Sequence, residues 1–225
     1  MSLLNAGLLF ACALVSLHAA PFVSETFDKP PSAEKWKSDP SVGVKDGALV
    51  LVASGGGEGY ANSAFVMKAG DAGLGFIAKP VEIELRELDV TGPGVPGDGV
   101  MVLILSADTP GEGNSSGYLK LRLGDDGGLL LMCGATGVKE ATIHRLATKL
   151  TFPLKSLKVR LSAADFTIKG LDASKEFSGT AKWTPEFDPS VWKGAAPYLM
   201  IRAVRRPGEG RAEVKVGALT VTPAS

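Results

Sequence analysis

The string Glu82-Ile83-Glu84-Leu85-Arg86-Glu87 is the densest set of groups in the chain able to do acid–base work. Residues two apart in an extended strand share a face, about 7 Å apart along the backbone, so Glu82 and Glu84 point together. Glu87 sits at the opposite parity and joins them only if a bulge intervenes. Two carboxyl groups about 5–5.5 Å apart, one as nucleophile and one as general acid, are what retaining cleavage of a glycosidic bond requires. The same string also reads as plain alternation, with Glu on a wet face and Ile83 and Leu85 on a dry one. Trp and Tyr, which would line a sugar cleft, are not clustered beside it.

Other chemistries have less to work with. Histidine occurs only at His18 and His144, and no Gly-x-Ser-x-Gly string is present, so a nucleophilic triad has no second partner. His144 reads as an ordinary strand or helix residue. Cys133 closes the run Leu129-Leu130-Leu131-Met132-Cys133 and reads as a buried, inert thiol, and zinc lacks a ligand cluster. Loop oxygens offer a calcium site instead, through Asp98, Asp108 and Asp125, although aspartate in a turn usually caps its own backbone. Calcium is thus the one candidate cofactor. Sugar recognition would use an aromatic ring on a pyranose face plus amide and carboxylate hydrogen bonds. Tyr118, Trp183, Trp192 and Asn62 are the leading candidates, with Tyr60 and Tyr198 behind them. Trp183 and Trp192 flank the proline-bounded loop Pro185–Pro189, which would leave one of them exposed, whereas most Trp are largely buried.

Charge excludes some partners. Lys plus Arg equals Asp plus Glu at 24 each, so no net field draws in nucleic acid or an anionic membrane. Arg202, Arg205, Arg206 and Arg211 form one basic stretch, read as a solvated hairpin rather than an anion patch. Residues 3–17 are uncharged and rich in Leu, Ala and Val, and small residues follow at Ala19 and Ala20. The stretch is too short to span a bilayer and fits an export leader, residues 1–20, cleaved after Ala19 or Ala20. The expected location is secreted or periplasmic, and the mature unit is residues 21–225. Once the leader is removed, Cys133 has no partner for an internal disulfide.

Positioning these residues falls to many short strands. Gly (28) and Pro (14) punctuate short apolar runs, as in a chain with many tight turns. Period-2 patterning predicts strands near 22–27, 42–44, 48–53, 60–68, 74–77, 81–90, 99–106, 117–123, 128–133, 142–145, 156–161, 165–169, 198–205 and 212–222. Lys45-Asp46-Gly47 and Gly124–Gly128 supply hairpin turns. Leu119-Lys120-Leu121-Arg122-Leu123 and Leu157-Lys158-Val159-Arg160-Leu161 alternate strictly, which puts Leu and Val in the core and Lys and Arg in water. One helical turn is expected at 31–36, and 141–150 fits either a helix or a strand and turn.

In order, Phe27-Asp28, Trp36, Asp46-Gly47-Ala48-Leu49, the long 81–90 strand, Gly117-Tyr118-Leu119-Lys120-Leu121, Leu157–Leu161 and the closing Ala212–Val221 resemble the concanavalin A-like lectin/glucanase superfamily. Within it they look most like laminin-G-like modules. The resemblance implies an all-β, two-sheet antiparallel jelly-roll sandwich with a concave face, a last strand beside the first, and calcium at the rim. The Glu82–Glu87 string is similar to the Glu-x-Asp-x-x-Glu pattern of family 16 glucanases, with Glu84 where that pattern has Asp. The leading expectation is a non-catalytic module that binds glycan or an extracellular or cell-surface protein. The alternatives are a glycoside hydrolase using Glu82, Glu84 and Glu87, and a purely structural envelope protein.

Overall fold

A computed structural model describes residues 21–55, 61–67, 75–94, 99–110, 114–193, 195, 197–208 and 210–224. Residues 1–20, Tyr60 and Asp98 lie outside the described residues, as does the side chain of Asn62. The described residues hold sixteen strands: β1 Val23–Glu25, β2 Trp36–Ser38, β3 Val42–Lys45, β4 Ala48–Ser54, β5 Ala61–Met67, β6 Val81–Thr91, β7 Met101–Ser106 and β8 Tyr118–Leu123. They continue with β9 Leu129–Ala135, β10 Val138–Arg145, β11 Leu154–Leu161, β12 Asp165–Leu171, β13 Glu176–Lys182, β14 Tyr198–Arg205, β15 Arg211–Val216 and β16 Ala218–Pro223. A single 3-10 turn, Pro189–Trp192, is the only helical element among the described residues. None of their helices is long and apolar enough to cross a membrane.

The strands form two antiparallel sheets. One has nine strands, ordered β13-β12-β11-β6-β15-β4-β3, with β16 beside β6 and β1 beside β16. The other has seven, ordered β10-β9-β8-β7-β14-β5-β2. Their inner faces share one buried cluster. Ile83, Leu85 and Val159 reach it from the nine-stranded sheet, and Leu103, Leu121, Leu131 and Ile201 from the seven-stranded one. Alternation puts every second residue of each strand there, as two stacked sheets demand. The expected pairing of the last strand beside the first is present, Val221 opposite Val23.

Most strand expectations hold, with physical reasons for the differences. Asp46 and Gly47 both have positive φ (52° and 72°), the geometry of a two-residue hairpin whose twist suits its strands, and Lys45 pairs with Ala48. The described part of the predicted strand at 74–77 is not extended: residues 76–78 form a turn closed by Ala78 N–H to Gly75 O. The ambiguous 141–150 segment is the end of β10 followed by irregular chain. Residues 32–36 make the expected single turn, with Trp36 N–H donating to Ser32 O. Strands β2 and β13 were not foreseen. The first has three residues, and the second, Glu176–Lys182, carries few apolar side chains.

Candidate functional site

The Glu82–Glu87 string lies in β6, at the middle of the nine-stranded sheet. Glu82 and Glu84 face outward, opposite Arg160 and Lys158 on β11 and Thr222 and Thr220 on β16. Lys158 Nζ sits 3.3 Å from Glu82 and 3.5 Å from Glu84, and Arg86 Nη2 donates to Glu84 at 3.0 Å. Burial pushes the Glu84 carboxyl up, but the Arg86 hydrogen bond and the Lys158 charge outweigh it and hold the group below its ordinary value. A general acid needs the opposite shift. Glu87 has φ +47° and its side chain is exposed. No aromatic side chain occupies the cross-strand positions beside Glu82 and Glu84. Glu84 is itself buried and Glu82 half-buried, and both are matched by cations, so this is an ion-paired face.

The outward face of the seven-stranded sheet is different. The pattern of Leu119–Leu123 predicts Lys120 and Arg122 in water, yet they are only 4% and 9% exposed. Strand pairing sets three rows across this face. Arg145, Leu130, Arg122, Val102, Arg202 and Ala64 form one. Met132, Lys120, Ile104, Met200 and Val66 form the next, and Gly134, Tyr118, Ser106 and Tyr198 the third. Val102, Ile104, Tyr118, Met200 and Val204 pack on one another as a second apolar cluster, separate from the core between the sheets. Ile104 is fully buried although it points away from that core, so the face is recessed rather than solvated.

Glu140, brought in from β10, organises the charges of this face. Its carboxylate takes an ion pair from Lys120 and another from Arg122 Nη2 at 2.5 Å, and it accepts the Tyr118 hydroxyl at 3.2 Å. The β9–β10 register shifts between Val138 and Ala141, the segment that contains Glu140. The Tyr118 ring lies over Gly134 so closely that any Cβ there would collide with the ring and hydroxyl. Lys120 Nζ stands 5.5 Å from that ring's centroid.

A cleft opens at each end of β8. One, about 390 Å³, is lined by Arg122, Arg145, Arg206, Asp125 and Asp126 with the backbone of Gly94 and Gly99. The other, about 360 Å³, is lined by Tyr118, Gly134, Val138, Lys139, Phe187 and Trp192, among others. The loop beside it is held by local chemistry: the Asp188 side chain accepts from Ser190 N–H at 2.8 Å and Pro189 starts the 3-10 turn that positions Trp192.

The other sequence candidates separate. Trp183 stacks on Phe187 (centroids 4.1 Å) and donates Nε1–H to Ser162 O at 2.9 Å. Trp192 is 3% exposed and packs 5.0 Å from Phe76. Both staple the edge of the core, against the expectation that one of them stands free, and only Trp192 borders a cleft. Asn62 pairs with Val204 in backbone register, on the strand that borders the recessed face. Asp108 and Asp125 lie beyond opposite ends of β8, so strand length keeps them apart. Asp108 accepts from Ser115 Oγ and Ser116 N–H (both 3.1 Å), and hydrogen bonding to Ser116 above all lowers its carboxyl. Asp125 accepts from Gly94 N–H at 3.3 Å. The described residues hold no group of three or more His, Cys, Asp or Glu side chains placed to take a metal. Cys133 is buried, and burial with the charges of Glu186 and Glu140 pushes its thiol up to about 11, so it is no nucleophile near neutral pH. The arginine stretch is not a solvated hairpin. Arg205 is 1% exposed, and its guanidinium donates to Gly55 O and, at 2.6 Å, to Arg206 O. Sequence reasoning missed Glu140, Arg145 and Arg206 as partners of this face, because no local spacing relates them to Tyr118.

No family model matches the sequence, and no curated protein matches it. Solved structures do resemble the fold. A structure from work on endo-acting O-glycanases that prominent human gut microbiota members express to initiate mucin breakdown superposes with a TM-score of 0.61 at 15% identity. That match covers 92% of this chain and 100% of the other. The exoplasmic/lumenal domain of VIP36, bound to calcium and Man3GlcNAc, gives 0.60 at 11% identity over 92% of this chain and 91% of its own. The Emp47p carbohydrate recognition domain gives 0.55 at 10% identity over 93% and 99%. The chain has the concanavalin A-like jelly-roll fold, a two-sheet sandwich found in both lectin domains and glycanases.

Proposed function

We propose that this chain is an exported, non-catalytic carbohydrate-binding module whose binding surface is the recessed face of the seven-stranded sheet. The observation that carries this reading is the charged and aromatic set of Tyr118, Lys120, Arg122 and Glu140 on an outward sheet face, with a cleft at each end of β8. Taking such charges out of water is costly, and a plain outer surface gains nothing from it. Amphipathic rings and fixed polar groups in a recess are what a sugar's apolar face and hydroxyls need. Lectin and glycanase relatives by fold support the class of ligand. The non-catalytic part rests on the neutralised Glu82 and Glu84 of the opposite sheet. The leader at residues 1–20 supports export. N-terminal sequencing of exported protein is expected to start at Ala20 or Pro21, and an intact Met1 would overturn export.

The binding test is calorimetry against an oligosaccharide panel, comparing the native chain with Gly134→Ala. The added methyl must displace the Tyr118 ring. Affinity is expected to fall at least about tenfold, with calcium added or chelated in parallel runs. A panel that yields no binder, or a variant that binds as tightly as the native chain while the ring has moved, would sink the assignment of this face.

A further inference from the structure

We propose that the cleft at the Arg145 end of the recessed face binds the anionic group of a sugar, a carboxylate or a sulfate ester. This rests on the carbohydrate reading and deepens it by naming the ligand's charge.

The row Arg145–Leu130–Arg122–Val102–Arg202 places an arginine on every second strand, with an apolar residue between each pair. Strands lie about 4.8 Å apart, so these guanidinium stems rise roughly 10 Å from one another along a line across the sheet. Arg206 joins Arg122 and Arg145 around the same cleft. Two of the acidic groups around it, Asp126 and Glu140, are already ion-paired. Asp126 is paired with Lys149 Nζ at 2.5 Å and accepts from Gly128 N–H at 2.9 Å. Asp125 accepts from Gly94 N–H, and Glu140 holds Lys120 and Arg122. Arg145 is exposed at the end of β10 and makes no ion pair with any described residue. Its planar fork matches a carboxylate or sulfate with two parallel hydrogen bonds.

The volume, about 390 Å³, is in the range of small-molecule sites. Gly94 and Gly99 wall the cleft with bare backbone. A Cβ on Gly99 would meet the Leu123 carbonyl at 2.6 Å, so the strand ends approach as closely as they can. The whole chain has a formal net charge of +0, so general attraction to polyanions is weak and any preference for them must come from a local arrangement.

The test is calorimetry on the full mature chain with three sets of oligosaccharides of matched length: neutral (manno- and cello-oligosaccharides), uronate (oligogalacturonates and alginate oligomers) and sulfated (chondroitin sulfate oligomers). Uronate or sulfated ligands are expected to bind about tenfold or more tighter than neutral ones, and which set wins identifies carboxylate or sulfate. Arg145→Ala should abolish that preference and flatten its salt dependence. Arg145→Lys should retain part of it, since charge survives but the fork does not. Arg206→Gln provides an independent second removal, and Lys45→Ala on exposed β3 is the control with no expected effect. Equal binding of neutral and anionic ligands would overturn the anion site while leaving the carbohydrate reading intact. An anionic preference indifferent to both arginine substitutions would overturn its placement. No binding by any set would overturn both.

Discussion

At the scale of single residues, Glu140 carries more than its exposure suggests. Glu82 and Glu140 have similar side-chain exposure, 21% and 19%, and each is paired with two cations. The partners differ. Lys158 and Lys169 remain solvated when Glu82 is removed, at 31% and 52% exposed, whereas Lys120 and Arg122 are at 5% and 11%. Glu140→Gln removes the carboxylate charge that two largely buried cations share and is expected to cost about 3 kcal/mol. Glu82→Gln should cost no more than about 0.5 kcal/mol. Urea denaturation of both variants checks the contrast, and equal losses would contradict the description of the recessed face. None of this was legible locally: Glu140 sits in Val138-Lys139-Glu140-Ala141, which looks like any exposed strand edge. Tyr118 was legible as a candidate, because a tyrosine opening an alternating strand presents its ring to one face. Neither Trp183 nor Trp192 stands free, because a proline-bounded loop can fold back on the core as readily as away from it.

At the scale of elements, two features stand out. The first is a coordinated change of phase. In β6, Leu85 and Leu88 both face the core with Arg86 and Glu87 both exposed between them. In β11 the same happens across Lys155 and Ser156, and between β15 and β16 across Gly217 and Ala218. Registers stay continuous, Leu154 with Leu88 and Ser156 with Arg86, so neighbouring strands change phase together. Glu87 adopts its positive φ there, and Gly217 lies so near it that a Cβ would come within 2.8 Å of Glu87 Cβ. Alternation in one strand shows where its own phase breaks, but not that its neighbours break with it. The second feature is the turn between β12 and β13. Buried Asp172 accepts from Ser174 and Lys175 N–H, both at 2.8 Å, and from Thr151 N–H at 3.2 Å. Those backbone hydrogen bonds, Ser174 first, hold its carboxyl down to about 2. The unfolded value is about 3.9. The group therefore binds its proton more weakly when folded, stabilises the chain fully above about pH 4, and loses that contribution as pH falls towards 2. Asp172→Asn is expected to melt lower at pH 7 and to show a shallower fall in melting temperature between pH 4 and 2. A parallel pH profile for both proteins would contradict the assignment.

At the scale of the whole molecule, one buried cluster unites sixteen strands from two sheets. Neither sheet buries its inner face without the other, so they should unfold together. Circular dichroism and tryptophan fluorescence, the latter reporting Trp36 stacked on Phe65 and Trp183 and Trp192 packed around Phe76 and Phe187, are expected to give coincident melting curves. Separated transitions would show that one sheet persists alone.

The amino-acid sequence by itself determined the all-β class, most strand positions and the Asp46-Gly47 hairpin. Each of these follows from side-chain period and turn chemistry, which are local. The tertiary structure alone decided which outward face is recessed. Leu119-Lys120-Leu121-Arg122-Leu123 and Leu157-Lys158-Val159-Arg160-Leu161 are nearly the same pentapeptide. In β11 the two cations stay about 30% exposed beside Glu82, Glu84 and Asp165. In β8 they are buried around Glu140 on a recessed face. A strand's alternation says which side chains leave the core, but not what they meet outside it. That depends on which strands lie alongside and on how the sheet is shaped, and both are set by contacts between residues far apart in the chain.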